Sequence, residues 1–89
     1  MDHKARETIL TEIANAEEQI TVGATYAHYK NPDHTCTVEG FGLYEATDEL
    51  CVVYKANYPP HLTFFRAVSV WLELVEWNGK EVPRFRKLD

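Results

Sequence analysis

Aromatic, basic and imidazole side chains cluster near the end of the first third of the chain. Tyr26, His28, Tyr29 and Lys30 combine two phenol rings, a ring that titrates near neutral pH and a cation. Successive side chains of a β-strand point to opposite faces, so Tyr26 and His28 share one face and Tyr29 lies on the other. Such a face can stack on a ligand or hydrogen-bond to it, and the cluster is one half of a candidate binding pocket.

An arginine further along the chain offers a group that binds anions. Arg66 follows two phenylalanines, and its planar guanidinium can hold a carboxylate or a phosphate through two N–H groups. Aromatic core packing with polar tips at the rim is the competing interpretation. The full set of candidate ligand-binding residues is Tyr26, His28, Tyr29, Lys30, Tyr54, Phe64, Arg66 and Arg84.

The two cysteines do not form a metal signature or a catalytic motif. His34 and Cys36 share a strand face, and a zinc site with Cys51 would still need His28 or Glu39 as a fourth ligand. Single cysteines among valines are usually buried, so core packing is the favoured interpretation. No local group lowers a thiol pKa or forms an oxyanion hole. We therefore expect no catalytic residue, no metal site and no cofactor.

Length and composition indicate one ordinary globular domain. The 89 residues suffice for one core, and 45% hydrophobic with 26% charged residues excludes disordered and fibrous classes. Nine basic against fourteen acidic residues give a net charge of −5, which disfavours broad nucleic-acid binding because little is gained from phosphate counterion release. We expect no membrane segment and a cytoplasmic location, because the apolar runs are short and the N-terminus lacks a signal-peptide core.

Residues 4–20 have the pattern of an amphipathic helix. Ile9, Ile13, Ala16 and Ile20 recur at helical spacing between polar residues, and Asp2 precedes them as a candidate cap. The face with Ile9, Ile13 and Ile20 either pairs two copies as a homodimer or packs on the chain's own domain. We divide the single domain into this helix, residues 1–21, and a β part, residues 22–89.

The rest of the chain has the pattern of short β-strands. Asn78-Gly79 accepts the positive φ angles of a type I′ hairpin turn, and Gly40 and Gly42 indicate a bulge or bend. Pro83 places the second hairpin arm at an edge, with Phe85 pointing inward. The predicted strands cover residues 26–30, 35–44, 50–56 and 63–67, followed by hairpin arms at 74–77 and 80–82.

These elements predict a mostly β fold. Short strands with bends, one helix in front and no room for crossover helices are typical of a small, partly open barrel. The specific expectation is a five-stranded SH3-like barrel preceded by one N-terminal amphipathic helix. A five-stranded OB barrel is the alternative, because one sequence does not give the strand order.

Several motifs in order resemble a known family, the bacterial domain of unknown function 1653, over about residues 22–88. The resemblance implies a small SH3-like barrel and no established activity. Two positions depart from the family pattern: Phe65 stands where valine is usual, and Ala67 where proline is usual. The motifs that carry the resemblance are Tyr26-Ala27-His28-Tyr29-Lys30, Val52-Val53-Tyr54, Phe64-Phe65-Arg66, Asn78-Gly79-Lys80 and Val82-Pro83-Arg84-Phe85.

Three functions compete for this sequence. The favoured one is a non-catalytic binding module that recognises a protein segment or other partner through an aromatic and arginine-lined barrel face. The second is a small-ligand-binding protein or enzyme that uses His28, Tyr29 and Arg66 as acid, base and anion-binding groups. The third is a structural subunit whose helix docks on a second copy or a larger partner. No motif names the ligand, the partner or the cellular process.

Overall fold

The structure, a computed structural model, describes residues 4–88. The chain begins with helix α1 (Arg6–Gln19), which starts after Ala5, while the candidate cap Asp2 lies outside the described residues. Gly23 has a φ of 88° and turns the chain away from the helix. The elements that follow are β1 (Thr25–His28), β2 (Thr35–Tyr44), β3 (Glu49–Ala56), β4 (Thr63–Ala67), α2 (Val68–Trp71), β5 (Leu74–Trp77), β6 (Lys80–Pro83) and β7 (Phe85–Leu88).

Five strands form one antiparallel sheet in the order β4-β3-β2-β1-β7, and β5 and β6 form a separate two-stranded sheet. A mostly β fold with one N-terminal helix is therefore confirmed. Within residues 4–88 the sheets are not closed into a barrel, because β4 and β7 are each paired on one side only. The five-stranded SH3-like barrel is thus not confirmed, and neither is the OB barrel.

The β2–β3 ladder is the longest in the molecule and contains the predicted irregularity. Its register shifts between Val38 and Gly40, so that Glu39 has no partner residue on β3. A Cβ at Gly42 would lie 3.6 Å from the Val53 side chain, which is ordinary contact. The bulge bends the sheet, and the bend lets its two ends face each other over one core.

Residues 50–56 are apolar on both alternating faces up to Lys55, which predicts a central strand covered on each side. Strand β3 is an interior strand, between β2 and β4 and next to the edge strand, and only one of its faces is covered. Leu50, Val52, Tyr54 and Ala56 are buried, whereas the alternate residues are half-buried or exposed. The prediction of cover on both sides arises because the outward residues include the apolar Cys51 and Val53. The outer face carries no packed layer of described residues.

The β5–β6 hairpin confirms the strongest local prediction. Asn78 has a φ of 54° and Gly79 a φ of 78°, and Trp77 pairs with Lys80 across the turn. These angles are those of a type I′ turn. The chain leaves β6 through Pro83 and enters β7, a strand that the sequence does not separate from the hairpin arm.

An aromatic cluster fills the core. Trp71 of α2 stacks on Phe85 with ring centroids 3.8 Å apart and an interplanar angle of 10°. Tyr26 and Tyr54 meet Trp71 edge-on at 5.3 and 5.0 Å. Phe85 points inward as predicted, while helix α2, which supplies Trp71, is absent from the sequence-based prediction.

The apolar face of α1 packs on its own domain. Ala16 and Ile20 are 2% and 0% exposed, and Ile20 belongs to the core cluster. Ile9 and Ile13 are half-buried. Because Ile20 is fully covered within one chain, only the Ile9 and Ile13 part of this face remains for a second copy, and the homodimer stays a prediction.

No helix within residues 4–88 combines the length and the apolar character needed to cross a membrane.

We expect Trp71→Ala to lower the free energy of unfolding by about 3–5 kcal/mol, because it removes a buried ring that contacts three others. Urea denaturation measures the change. Trp77→Ala is the matched control, since Trp77 is 39% exposed and meets only Tyr29 among the described rings. Equal losses in the two variants would contradict a core centred on Trp71.

Candidate functional site

A partly open cleft of about 250 Å³ lies on the inner face of the curved five-stranded sheet. Five strands, β1, β2, β3, β4 and β7, supply its floor and walls, and two loops supply its rim. It brings together four of the eight candidate residues, and these come from three of the five strands. These four are His28 on β1, Tyr54 on β3, and Phe64 and Arg66 on β4.

Arg66 occupies the centre of this arrangement. Its Nε donates a hydrogen bond to the Tyr54 hydroxyl at 3.3 Å, and its guanidinium lies 5.5 Å from the centroid of the Phe85 ring. The ring holds the guanidinium through a cation–π contact. Within residues 4–88 no carboxylate forms an ion pair with Arg66. Its terminal N–H groups thus remain available to an anion from outside the chain.

Phe64 and Tyr54 form an aromatic wall beside Arg66. They are paired residues of β4 and β3, and their rings stack with centroids 5.7 Å apart. Alternation along β4 places Phe64 and Arg66 on the cleft side and Phe65 on the opposite face. Phe65 is 75% exposed there, so this departure from the family pattern does not change the cleft wall.

His28 lies at the β1 side of the cleft, and its ring is held by neighbours. Its Nδ1 accepts a hydrogen bond from the Lys30 backbone N–H at 3.2 Å, and its ring meets Phe85 edge-on at 5.4 Å. Burial lowers its pKa from the usual 6.5, and the positive charges of Arg66, Arg84 and Lys30 lower it further. A neutral His28 accepts at Nδ1 and carries its proton on Nε2.

The rim joins the β1–β2 loop to the β3–β4 loop. His34 and Tyr58 stack with ring centroids 4.3 Å apart, and Asn31 lies on the same side of the cleft. The loop that carries Tyr58 contains the cis peptide bond between Pro59 and Pro60. Neither residue is in the set of candidate ligand-binding residues, although the sequence offers His34 as a possible zinc ligand and Tyr58 as part of an aromatic, proline-rich edge that suits a binding module. A signal was available, because each aromatic ring sits in a proline-containing loop next to a strand that carries candidate residues.

Tyr29 and Lys30 lie outside the cleft. The Tyr29 ring meets Trp77 of the hairpin edge-on at 5.4 Å and lines a second, separate depression with Pro32 and Val82. The Lys30 side chain is exposed. The structure therefore divides the predicted cluster, and His28 is its member that lines the main cleft.

Tyr26 and Arg84, the remaining two candidate residues, make contacts that stabilise the fold and do not line the cleft. Tyr26 is 4% exposed, and its hydroxyl accepts a hydrogen bond from the Thr21 backbone N–H at 2.9 Å. Arg84 donates from Nε to the Val70 carbonyl at 3.2 Å and from Nη2 to Glu73 Oε1 at 2.7 Å. The Tyr26 contact links β1 to the turn after α1, and the Arg84 contacts link the junction of β6 and β7 to α2 and the residues that follow it. Neither side chain lines the cleft.

The two cysteines are far from each other, and neither forms a disulfide. Cys36 pairs with Ala56 on the β2–β3 ladder and Cys51 pairs with Gly42, which separates them by about 17 Å at roughly 3.4 Å per residue. Burial raises the pKa of Cys36 to about 11 and also raises the pKa of Cys51, so both thiols are protonated at neutral pH. Within residues 4–88 no three His, Cys, Asp or Glu side chains form a group suited to a metal.

Fold and cleft together define a small, mostly antiparallel β domain with an aromatic, arginine-containing surface cleft. The model of a family described as proteins of unknown function, DUF1653, matches residues 24–87. The chain belongs to this family. The match includes every strand except the last residue of β7 and leaves out helix α1.

A solved structure agrees with this assignment. The crystal structure of a DUF1653 protein from Bordetella bronchiseptica superimposes with a TM-score of 0.67 and 28% sequence identity, and the match covers 79% of this chain and 90% of that one. No curated protein matches the chain.

We expect the His28 ring to titrate below pH 6.5 in an NMR titration, and Arg66→Gln to raise its midpoint toward 6.5 because one of the opposing charges is removed. Arg86→Gln is the control: Arg86 is exposed on β7 and is not among the charges acting on His28. The unfolded chain binds more protons than the folded one just below pH 6.5, so the free energy of unfolding rises with pH through that range. An unchanged midpoint in Arg66→Gln would contradict the cleft geometry.

Proposed function

We propose that this chain is a non-catalytic binding module that recognises a protein segment through the cleft lined by Tyr54, Phe64 and Arg66. The observation that carries the proposal is the state of Arg66: an aromatic ring and a tyrosine hydroxyl hold its guanidinium, and no described carboxylate neutralises it. A charge positioned in this way costs little side-chain entropy when a ligand binds. If the residue at position 66 served only to pack the core, an apolar side chain would serve equally well.

The size of the cleft supports a segment of a larger partner. Its volume of about 250 Å³ is below the roughly 300–1,000 Å³ of sites that enclose a whole small-molecule ligand. It is large enough for one or two side chains. The bent, open sheet offers this cleft in the manner of an SH3-like groove, in which aromatic side chains hold an extended segment.

The alternative function is a small-ligand-binding protein or enzyme that uses His28, Tyr29 and Arg66. Such a site needs these three groups around one volume. Arg66 lines the main cleft and Tyr29 lines the depression beside Trp77, with His28 between them. This division favours the binding module over a shared acid–base site.

We also propose a reducing compartment, the cytoplasm, as the place of action. Cys36 and Cys51 are both free thiols, and they lie on opposite faces of the sheet at separate ladder positions. A disulfide between them would require rearrangement of the longest ladder. Free thiols of this kind are usual where the environment keeps cysteines reduced.

The experiment is affinity capture from lysate with tagged wild-type protein, with and without nuclease. We expect Arg66→Ala to lose the protein partner that the wild type retains, and Arg86→Ala to keep it. Both variants remove one positive charge, so a difference between them locates the binding face at the cleft. Near-UV circular dichroism checks that Arg66→Ala is folded.

Two outcomes would contradict the binding module. A partner retained equally by both variants would place recognition elsewhere on the surface. A thermal shift with a metabolite that requires both His28 and Tyr29, in the absence of any protein partner, would favour the alternative function.

A further inference from the structure

The outer edge of β4 is free. This strand pairs with β3 on one side, and within residues 4–88 no strand pairs with its other side. Thr63, Phe64 and Phe65 are exposed along it. An unpaired edge presents backbone N–H and C=O groups to any extended chain that can lie beside it.

The register shows which backbone groups are available. The Ala56 N–H donates to the Leu62 carbonyl at 2.9 Å, which marks these residues as a hydrogen-bonded pair. Such pairs alternate along an antiparallel ladder, so Phe64 and Arg66 bond to β3 as well. Thr63 and Phe65 therefore direct their N–H and C=O groups away from β3, toward solvent.

The same alternation directs the two cleft side chains of β4. Phe64 and Arg66 are two residues apart and point inward, next to the free edge. A strand added to β4 would place every second side chain on that same inner face, over the cleft. Its main chain and its side chains would then be bound by neighbouring residues of one strand.

The charge inside the cleft indicates which kind of ligand side chain it can bind. The chain carries a net charge of −5, yet none of the described residues that line the cleft is acidic. Arg66 is the cation within it, and burial lowers the pKa of the nearby His28 from 6.5, which disfavours a second positive charge there. One guanidinium fits one carboxylate, whereas single-stranded nucleic acid requires a row of cations along its backbone.

We propose that the cleft binds an extended peptide segment that pairs with the outer edge of β4 and places a carboxylate on Arg66. The carboxylate comes from an Asp or Glu side chain or from the peptide's C-terminus. A neighbouring apolar side chain of the segment packs against Phe64 and Tyr58. This inference rests on the proposed function and names the chemistry of the segment.

Selection from a random library of short peptides displayed on phage tests the charge. We expect the peptides that bind wild-type protein to be enriched in Asp or Glu, and their Asn or Gln analogues to bind about tenfold or more weakly. A second synthetic series with amidated C-termini separates a side-chain carboxylate from a terminal one. Arg66→Gln should lose the same factor and no longer distinguish acid from amide, while Arg86→Gln should bind like the wild type.

Amide hydrogen exchange tests the strand pairing. With a selected peptide bound, we expect the Thr63 and Phe65 N–H groups to become protected from exchange, while Phe64 and Arg66 change little because they already bond to β3. N-methylation of the peptide at alternate positions should abolish binding in one register and leave it intact in the other. This second readout does not depend on any protein variant folding.

Each contrary result has a distinct meaning. Peptides selected without acidic residues, and bound equally by Arg66→Gln, would overturn this inference and leave the binding module intact. Failure to select any peptide, together with capture that Arg66→Ala does not alter, would overturn both. Displacement of the peptide by an oligonucleotide or by inorganic phosphate would assign the cleft to phosphate instead. Protection of Thr63 and Phe65 that rises with protein concentration alone would show that a second copy occupies the edge.

Discussion

The stacked pair of Trp71 and Phe85 holds the fold together. Helix α2 supplies one ring and β7 the other, with centroids 3.8 Å apart. Tyr26 of β1 and Tyr54 of β3 contact Trp71, so one indole touches elements from the first strand to the last. An 89-residue chain has little apolar surface to bury, and concentrating large rings at one point is an economical way to stabilise an open sheet.

The candidate site depends on that pair. The face of Phe85 that Trp71 leaves open is near the Arg66 guanidinium, and the hydroxyl of Tyr54 accepts from its Nε. Core and cleft therefore share two side chains. Contacts with Phe85 and Tyr54 fix the position of Arg66, while the N–H groups of its guanidinium that bond to no described residue lie in the open cleft. The same arrangement contributes to the lowered pKa of His28, because its ring is partly buried against Phe85 and lies near the Arg66 charge.

Much of the fold could be predicted from the sequence because its signals are local. The Asn78-Gly79 turn, the bulge at Gly40 and the bounds of β2 and β4 each depend on a few adjacent residues. Helix α2 is too short to show a helical period, and β7 is identified as a separate strand only by its pairing with β1. Closure of the sheet is likewise a non-local property, which local patterns do not determine.

The site was predictable in part for the same reason. Phe64 and Arg66 are two residues apart on one strand, so alternation alone places them on one face, and both line the cleft. It does not show that Tyr26 enters the core or that Arg84 bonds to Val70 and Glu73, because those partners are distant in sequence or lie on a helix that the pattern does not reveal. The residue types of Tyr26 and Arg84 suggest a role in ligand binding. Only their tertiary contacts show that the two side chains are structural.

The attachment of the β5–β6 hairpin has a consequence for motion. The contacts that join it to the rest of the molecule include the Arg84 hydrogen bonds, the Tyr29 N–H to Arg84 carbonyl bond at 3.1 Å and the Tyr29–Trp77 ring contact. Several of these involve exposed groups. A unit attached in this way can separate from the body by a sub-global opening at a lower free energy than complete unfolding. Because Trp77 and Val82 of the hairpin line the depression around Tyr29, such an opening would also expose the Tyr29 ring.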